Sequence, residues 1–268
     1  MTRRGLFALV VLLFSSIPSI AQPVKTKKMA KQSSTQALTY AAQAMAALTG
    51  GNAITDVTLT GTGAWTLGPE TDNGNATFLA SGTNESRMDL TLSSGTRTEI
   101  RDAQTGTRIG EWIAPNQSSG MFAYHNCVTD AVWFFPALGS LAGGSNIVFT
   151  YIGQETRNGQ SVQHIQSYQP SSTALGPSGF NPQQLSVMDF YLDSVTFLPS
   201  SITFNVHPDN DSASNLLVEI DFSNYQTVNG FSVPMHIQKY LQGTLLIDLT
   251  VSTAAFNTGI PLSEFAIN

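Results

Sequence analysis

The stretch Leu216-Leu-Val-Glu-Ile-Asp-Phe-Ser-Asn-Tyr-Gln-Thr-Val-Asn-Gly-Phe-Ser-Val-Pro234 decides how this chain is read. Leu216, Val218, Ile220 and Phe222 alternate with Leu217, Glu219, Asp221 and Ser223, the period-two pattern of a strand with one wet face. Asn229-Gly230 supplies the two positive-φ positions of a type I′ hairpin turn. Phe231 and Val233, then His236, Gln238 and Tyr240, lead to a second turn at Gln242-Gly243, after which Leu245, Ile247, Leu249 and Val251 resume the alternation. The chain closes on Asn257-Thr-Gly-Ile-Pro261 and seven further residues.

These residues, Ser223-Asn-Tyr225, Val228-Asn-Gly230, Val233-Pro234 and Asn257-Thr-Gly-Ile-Pro261, resemble the carboxyl-terminal part of exported bacterial proteins of the LolA-like lipoprotein-sorting superfamily. The resemblance covers roughly the last fifth of the chain in residues, and the order of elements fits the remainder. It implies a curled antiparallel half-barrel around an apolar hollow and a carrier of acyl chains or other hydrophobic cargo. It assigns no ligand-binding residue.

The amino terminus reads as a secretory signal. Arg3-Arg4 precede an apolar run from Leu6 to Phe14, and Ser19-Ile20-Ala21 places small residues for cleavage after Ala21. The run is too short to span a bilayer well, and no Cys follows it to take a lipid. Export to the periplasm or beyond is the expectation. Residues 22–35 carry Lys25, Lys27, Lys28 and Lys31 with no acidic or aromatic residue, and are expected to be a flexible basic tail. Residues 36–268 are then one domain, because no linker or repeat divides them.

That domain keeps Arg87, Arg97, Arg101, Arg108, Arg157 and Lys239 against all eighteen acidic residues, a balance of minus twelve. Such a surface argues against nucleic acid as a partner, since a polyanion needs a basic face to displace its counterions. Arg87, Arg97 and Arg101 are read as surface cations on strands, with the mouth of a cavity as the other possibility. Cys127 is the single cysteine, so stability must come from a core rather than from disulfides.

Along the domain, Ser34 to Gly51 reads as an amphipathic helix of about three turns, and Val57 to Leu67 as a long strand. Strands follow near 76–81, 86–93, 96–102 and 108–114, with Asp72-Asn-Gly-Asn75 read as a turn. Thr129 to Leu141 is apolar nearly all round and reads as a short buried helix. Two strands joined by Asn158-Gly159, a Pro- and Gly-rich loop from Pro170 to Pro182, and strands at 186–192 and 201–207 complete the pattern. About a dozen strands cannot stay flat, because twist accumulates, so the expected fold is α+β: a large curled antiparallel sheet with apolar helices in or over its concave face.

Chemistry is sparse. His125 and Cys127 fit no nucleophile motif, and a lone exported Cys is usually a small buried apolar group. Asp209 and Asp211 begin a calcium-loop pattern, but the twelfth position is Ile220, which leaves an Asx-type turn. The four histidines lack metal-ligand spacing, and neither a Gly-x-Ser-x-Gly elbow nor a phosphate-binding glycine motif occurs. No catalytic residue, metal or cofactor is expected. The candidate ligand-binding set is Trp65, Trp112, Trp133, Phe134, Phe135 and Leu138, either with Trp133 to Leu138 as a movable plug whose displacement opens a cavity lined by strand residues such as Trp65 and Trp112, or as a permanent core. The expected partners are a lipid, lipoprotein acyl chain or other hydrophobic molecule. The competing reading is an envelope protein-protein interaction or sensing module without a small ligand.

Overall fold

The computed structural model describes residues 32–129, 131–143, 146–170 and 182–267. The signal-peptide reading, residues 22–31 of the basic tail and most of the Pro170–Pro182 loop lie outside the described residues. Ser33 and Ser34, at the end of the expected tail, run beside a sheet edge: Ser34 N–H donates to the Phe149 carbonyl at 2.9 Å, and Phe149 N–H donates to Ser33 Oγ at 3.0 Å. These bonds occupy part of an edge that would otherwise stand open to another strand.

Helix α1 spans Thr35–Thr49. Ser34 caps it by accepting from Ala37 N–H, and Gly50 ends it in the left-handed region at φ 60°. A side chain at Gly50 would put its Cβ 2.5 Å from the Gly230 carbonyl oxygen, so glycine there serves both the cap and the packing of the helix end on the hairpin. Ala37, Ala41, Ala44 and Leu48 form the buried stripe, which packs against strands of the sheet's second half.

Thirteen strands form one antiparallel sheet: β1 (Asp56–Leu67), β2 (Glu70–Ser81), β3 (Glu85–Leu92), β4 (Gly95–Asp102), β5 (Ile109–Ile113), β6 (Ser119–Met121), β7 (Val148–Arg157), β8 (Gln160–Tyr168), β9 (Met188–Asp193), β10 (Pro199–Val206), β11 (Leu216–Val228), β12 (Phe231–Leu241) and β13 (Thr244–Phe256). The order is β6-β5-β4-β3-β2-β1-β13-β12-β11-β10-β9-β8-β7, so the chain ends meet at β1 and β13 in the middle, and the sheet curls without closing. Register shifts at Thr60/Gly61, Tyr151/Gly153, Pro199/Ser201 and Lys239/Tyr240 bend it further. This is the expected α+β half-barrel.

The hairpins obey turn chemistry. Asn158-Gly159, Asn229-Gly230 and Gln242-Gly243 all hold two consecutive positive φ values. Two local readings are corrected. Asp72–Asn75 is the interior of β2, and the turn lies earlier, at Gly68-Pro69. The segment 131–139 is a series of turns rather than a helix: Phe135 N–H reaches the Val132 carbonyl and Leu138 N–H the Phe135 carbonyl, with Pro136 between them unable to donate. Its burial is as expected.

The quoted carboxyl-terminal motif is structural. Asp56, at the start of β1, accepts from Thr258 N–H at 2.8 Å, Thr258 Oγ1 at 3.0 Å and Gly259 N–H at 3.0 Å, while Asn257 Oδ1 accepts from Thr55 N–H. Asn257-Thr-Gly is thus a clasp that locks the end of β13 onto the start of β1. Tyr225 donates to the Pro199 carbonyl at 2.8 Å beside Asn224, which sits at φ 55°. Burial pushes the Tyr225 hydroxyl pKa upward.

The wet face of β11 carries Glu219 and Asp221, with Arg157 paired to Glu219. Burial raises the Asp221 carboxyl, Glu219 raises it further by charge and a shared hydrogen bond, and Arg157 opposes them, leaving it at about 6. A carboxyl whose folded pKa is raised above its ordinary value penalises the native state once both forms ionise, so stability falls as pH climbs from about 4 to about 6. Asp221→Asn is expected to add about 1 kcal/mol at neutral pH, after allowing for solvent screening, and to flatten that slope. Urea midpoints at about pH 4.5 and pH 7.5 test this; an unchanged pH slope in the variant refutes the assignment.

Candidate functional site

The hollow of the half-barrel is built from alternate residues of the strands. Val57 and Leu59 of β1, Phe78 of β2, Met88 and Leu90 of β3, Ile220 of β11, Ile237 of β12 and Ile247 of β13 are all buried and belong to one apolar cluster. The turn segment 131–141 enters that cluster from above. Phe78 meets the rings of Trp133 and Phe134 edge-on at centroid distances of 5.7 and 5.0 Å, and Phe135 packs against Phe256, which stacks on Phe231 at 4.2 Å. Phe134 and Phe135 are 1% and 0% exposed, so the segment is an inserted plug that reaches β2 and β13, the two strands flanking β1.

Of the six residues singled out from sequence, Trp133, Phe134, Phe135 and Leu138 are buried together in this cluster, with Trp65 packed against its edge. Trp112 sits elsewhere, on β5 opposite Glu99, with its ring so close to Gly120 that a Cβ there would lie 2.9 Å from it. Beside the plug is a small cavity of about 40 Å³, bordered by Ser86, Glu99, Arg101, Trp133, Phe134 and Lys239. That is room for a few water-sized atoms and not for an acyl chain. Outside it, at the ends of β1 to β4, an open groove of about 660 Å³ is lined by Trp65, Leu67, Leu92, Arg97, Ala114 and Pro115. This volume lies within the range of small-molecule sites.

The charged residues of the hollow are ones the sequence reading did not place there. In register, Arg97, Glu99 and Arg101 oppose Leu90, Met88 and Ser86, so these three side chains share the hollow face of β4. The other face of β4 holds buried Thr98, Ile100 and Asp102 under the carboxyl-terminal turn Leu262–Phe265. Arg97 lies 3.7 Å over the Trp65 ring, Arg101 lies 3.7 Å over Phe122, and the Lys239 ammonium is 4.5 Å from the Trp133 ring centre. One face of β4 is buried and the other, with Arg97, Glu99 and Arg101, is half-buried, so alternation could not reveal which one carried function. Lys239 gave no signal at all, since its strand meets β4 only through the curl.

The remaining candidates take local partners. The Cys127 thiol is directed at the Phe122 and Ala123 carbonyls, and burial raises its pKa despite Arg101 and Arg108. His125 instead contacts the Pro208 carbonyl at 3.1 Å, so the two are not a nucleophile and its base. Asp211 accepts from Ala213 N–H and from Ser214 N–H and Oγ, an Asx-type turn. His164 pairs with Asp189 and His236 with Asp248, each at 2.8 Å. Among the described residues, no three His, Cys, Asp or Glu side chains gather as metal ligands, and no helix is long and apolar enough to cross a membrane.

No protein-family model and no curated protein matches this sequence. Solved structures do match in shape. A candidate outer membrane lipoprotein-sorting protein domain from Vibrio parahaemolyticus superposes with a TM-score of 0.54 at 13% identity, over 86% of this chain and 96% of that one. A LolA superfamily protein from Nitrosomonas europaea gives 0.52 at 10% identity, and a DUF1329 family protein from Desulfovibrio piger gives 0.52 at 9%, each over 86% of this chain and 97% of its own. The chain has the LolA-superfamily fold.

Proposed function

We propose that this protein is an exported, non-catalytic carrier that holds a lipid, a lipoprotein acyl chain or a similar hydrophobic molecule in the hollow of its curled sheet. The observation that carries this reading is the plug itself. A half-barrel whose strand side chains are covered by an inserted segment of turns has an interior that can be exchanged. Trp133, Phe134, Phe135 and Leu138 leave, and a ligand of similar apolar area replaces them at roughly 25 cal/mol per Å² on either side. Glycines at 139 and 143 flank the segment's end, with Gly143 at φ 76°. Trp65 and the 660 Å³ groove would receive the chain as it enters. The shared fold with lipoprotein-sorting domains supports this reading, and the sequence signal at residues 1–21 supports export.

Native mass spectrometry with organic extraction, on mature protein purified from a bacterial periplasm, tests it. A co-purifying lipid or acylated species is the expected result. A clean apo mass, with no shift on titrating phospholipids or lipopeptides, would sink the carrier reading. It would favour the second one, an envelope interaction module, for which the small size of that cavity is the supporting observation.

A further inference from the structure

The chain from residue 36 onward has six cations, and three of them, Arg97, Arg101 and Lys239, point into its apolar hollow. Taking a cation out of water costs several kcal/mol unless a partner compensates it. Compensation here is incomplete. Among the described residues, Glu99 is the carboxylate in the cavity wall, and it lies 3.8 Å from Arg97 Nε and acts on Lys239. Arg97 Nε and Arg101 Nη1 are buried without a hydrogen-bond acceptor. The aromatic faces of Trp65, Phe122 and Trp133 hold the cations in place but accept no hydrogen bond of ordinary strength. Among the described residues, Arg101 and Lys239 therefore share one carboxylate around a cavity of about 40 Å³, where Arg101 Nη1 lacks an acceptor, and Arg97 Nε lacks one beside the open groove.

We infer that Arg101 and Lys239, with Arg97 at the groove side, form a receptor for the carboxylate head of a long-chain amphiphile, whose tail occupies the apolar hollow. The inference rests on the carrier reading and narrows it from hydrophobic cargo in general to acidic cargo. The cations that line the cavity select the head group. Charge selects its sign, and the free guanidinium N–H groups favour a planar two-oxygen acceptor. Burial depresses the pKa of Lys239, Glu99 raises it, and Arg101 and Arg97 lower it further; a bound carboxylate would reverse that strain.

The test is a titration of the mature full chain, followed by the fluorescence of the tryptophans that these cations cover, with palmitate, its neutral isostere hexadecanol, and acetate. Palmitate is expected to bind about tenfold or more tighter than hexadecanol, the worth of one charge-assisted contact. Acetate should bind weakly, lacking the tail. In Arg101→Gln/Lys239→Met the preference should vanish, while the melting temperature of the apo protein rises because half-buried, poorly compensated charge has been removed. Lys239→Met alone serves if the double variant does not fold. Equal affinity of the wild type for acid and alcohol would overturn the carboxylate receptor and leave the carrier reading standing. Binding of neither long-chain probe would overturn the carrier reading itself. A fall in apo stability in Lys239→Met, with the preference intact, would assign these cations to the structure instead.

Discussion

Phe135→Ala is expected to lower the unfolding free energy by about 4 kcal/mol and, at the same time, to increase the lipid the protein captures. The first effect follows from packing. Phe135 is 0% exposed and lies against Phe256, itself stacked on Phe231, in a part of the hollow walled by rigid strands. Truncating an aromatic ring in such a setting loses its transfer free energy and leaves a cavity that the sheet cannot close over. The second effect follows from competition. If ligand and plug exchange places, the ring stabilises only the closed form, so removing it shifts the balance toward the form that accepts cargo. Urea denaturation reads the first and extracted lipid per mole of protein the second. A permanent core gives the stability loss with no gain in lipid, and a loss below about 1.5 kcal/mol would mean that the ring is not locked in place at all.

Asp56→Ala is expected to cost about 3 kcal/mol, although the residue is far from any candidate ligand contact. Burial acts to raise the Asp56 carboxyl, and the Thr258 and Gly259 amides with the Thr258 and Thr55 hydroxyls outweigh it, so its pKa lies below the ordinary value. Alanine would leave these donors without their acceptor and unfasten β13 from β1, the two central strands. Because the folded pKa is depressed, the contribution is complete above the ordinary carboxylate range and is lost as pH falls through the lowered value. The difference between wild type and Asp56→Ala should therefore shrink in strong acid, as followed by thermal melts across pH. Retention of the full difference there would show that the hydrogen-bonded carboxylate is not its source.

The same clasp explains why the carboxyl-terminal motif identified a fold and no ligand contact. Asn257-Thr-Gly, Tyr225 and Asn229-Gly230 are positions where the backbone needs a particular turn or hydrogen bond, so their residue types report architecture. Legibility failed at Asn73-Gly74 for a related reason. The dipeptide has hairpin chemistry, but a Cβ at Gly74 would lie 1.8 Å from the Thr91 carbonyl oxygen, so glycine there allows β2 to approach β3. It failed again at Trp133 to Leu138, where composition reported burial correctly and Pro136 prevented the helix that composition suggested.

By itself the sequence determined most of the strands, though not β6 or the first half of β2, the I′ hairpins, the helix cap at Ser34, the burial of the Trp133–Leu138 segment and the necessity of a curled sheet. These are local properties, set by period, turn stereochemistry and accumulated twist. Only the tertiary structure decided that the plug bridges β2 and β13, and that Lys239 of β12 faces the same small cavity as Glu99 and Arg101 of β4. Those strands are separated in the sheet by β3, β2, β1 and β13, so no spacing along the chain encodes their meeting. Curvature brings them face to face, and curvature is a property of the whole sheet rather than of any one strand.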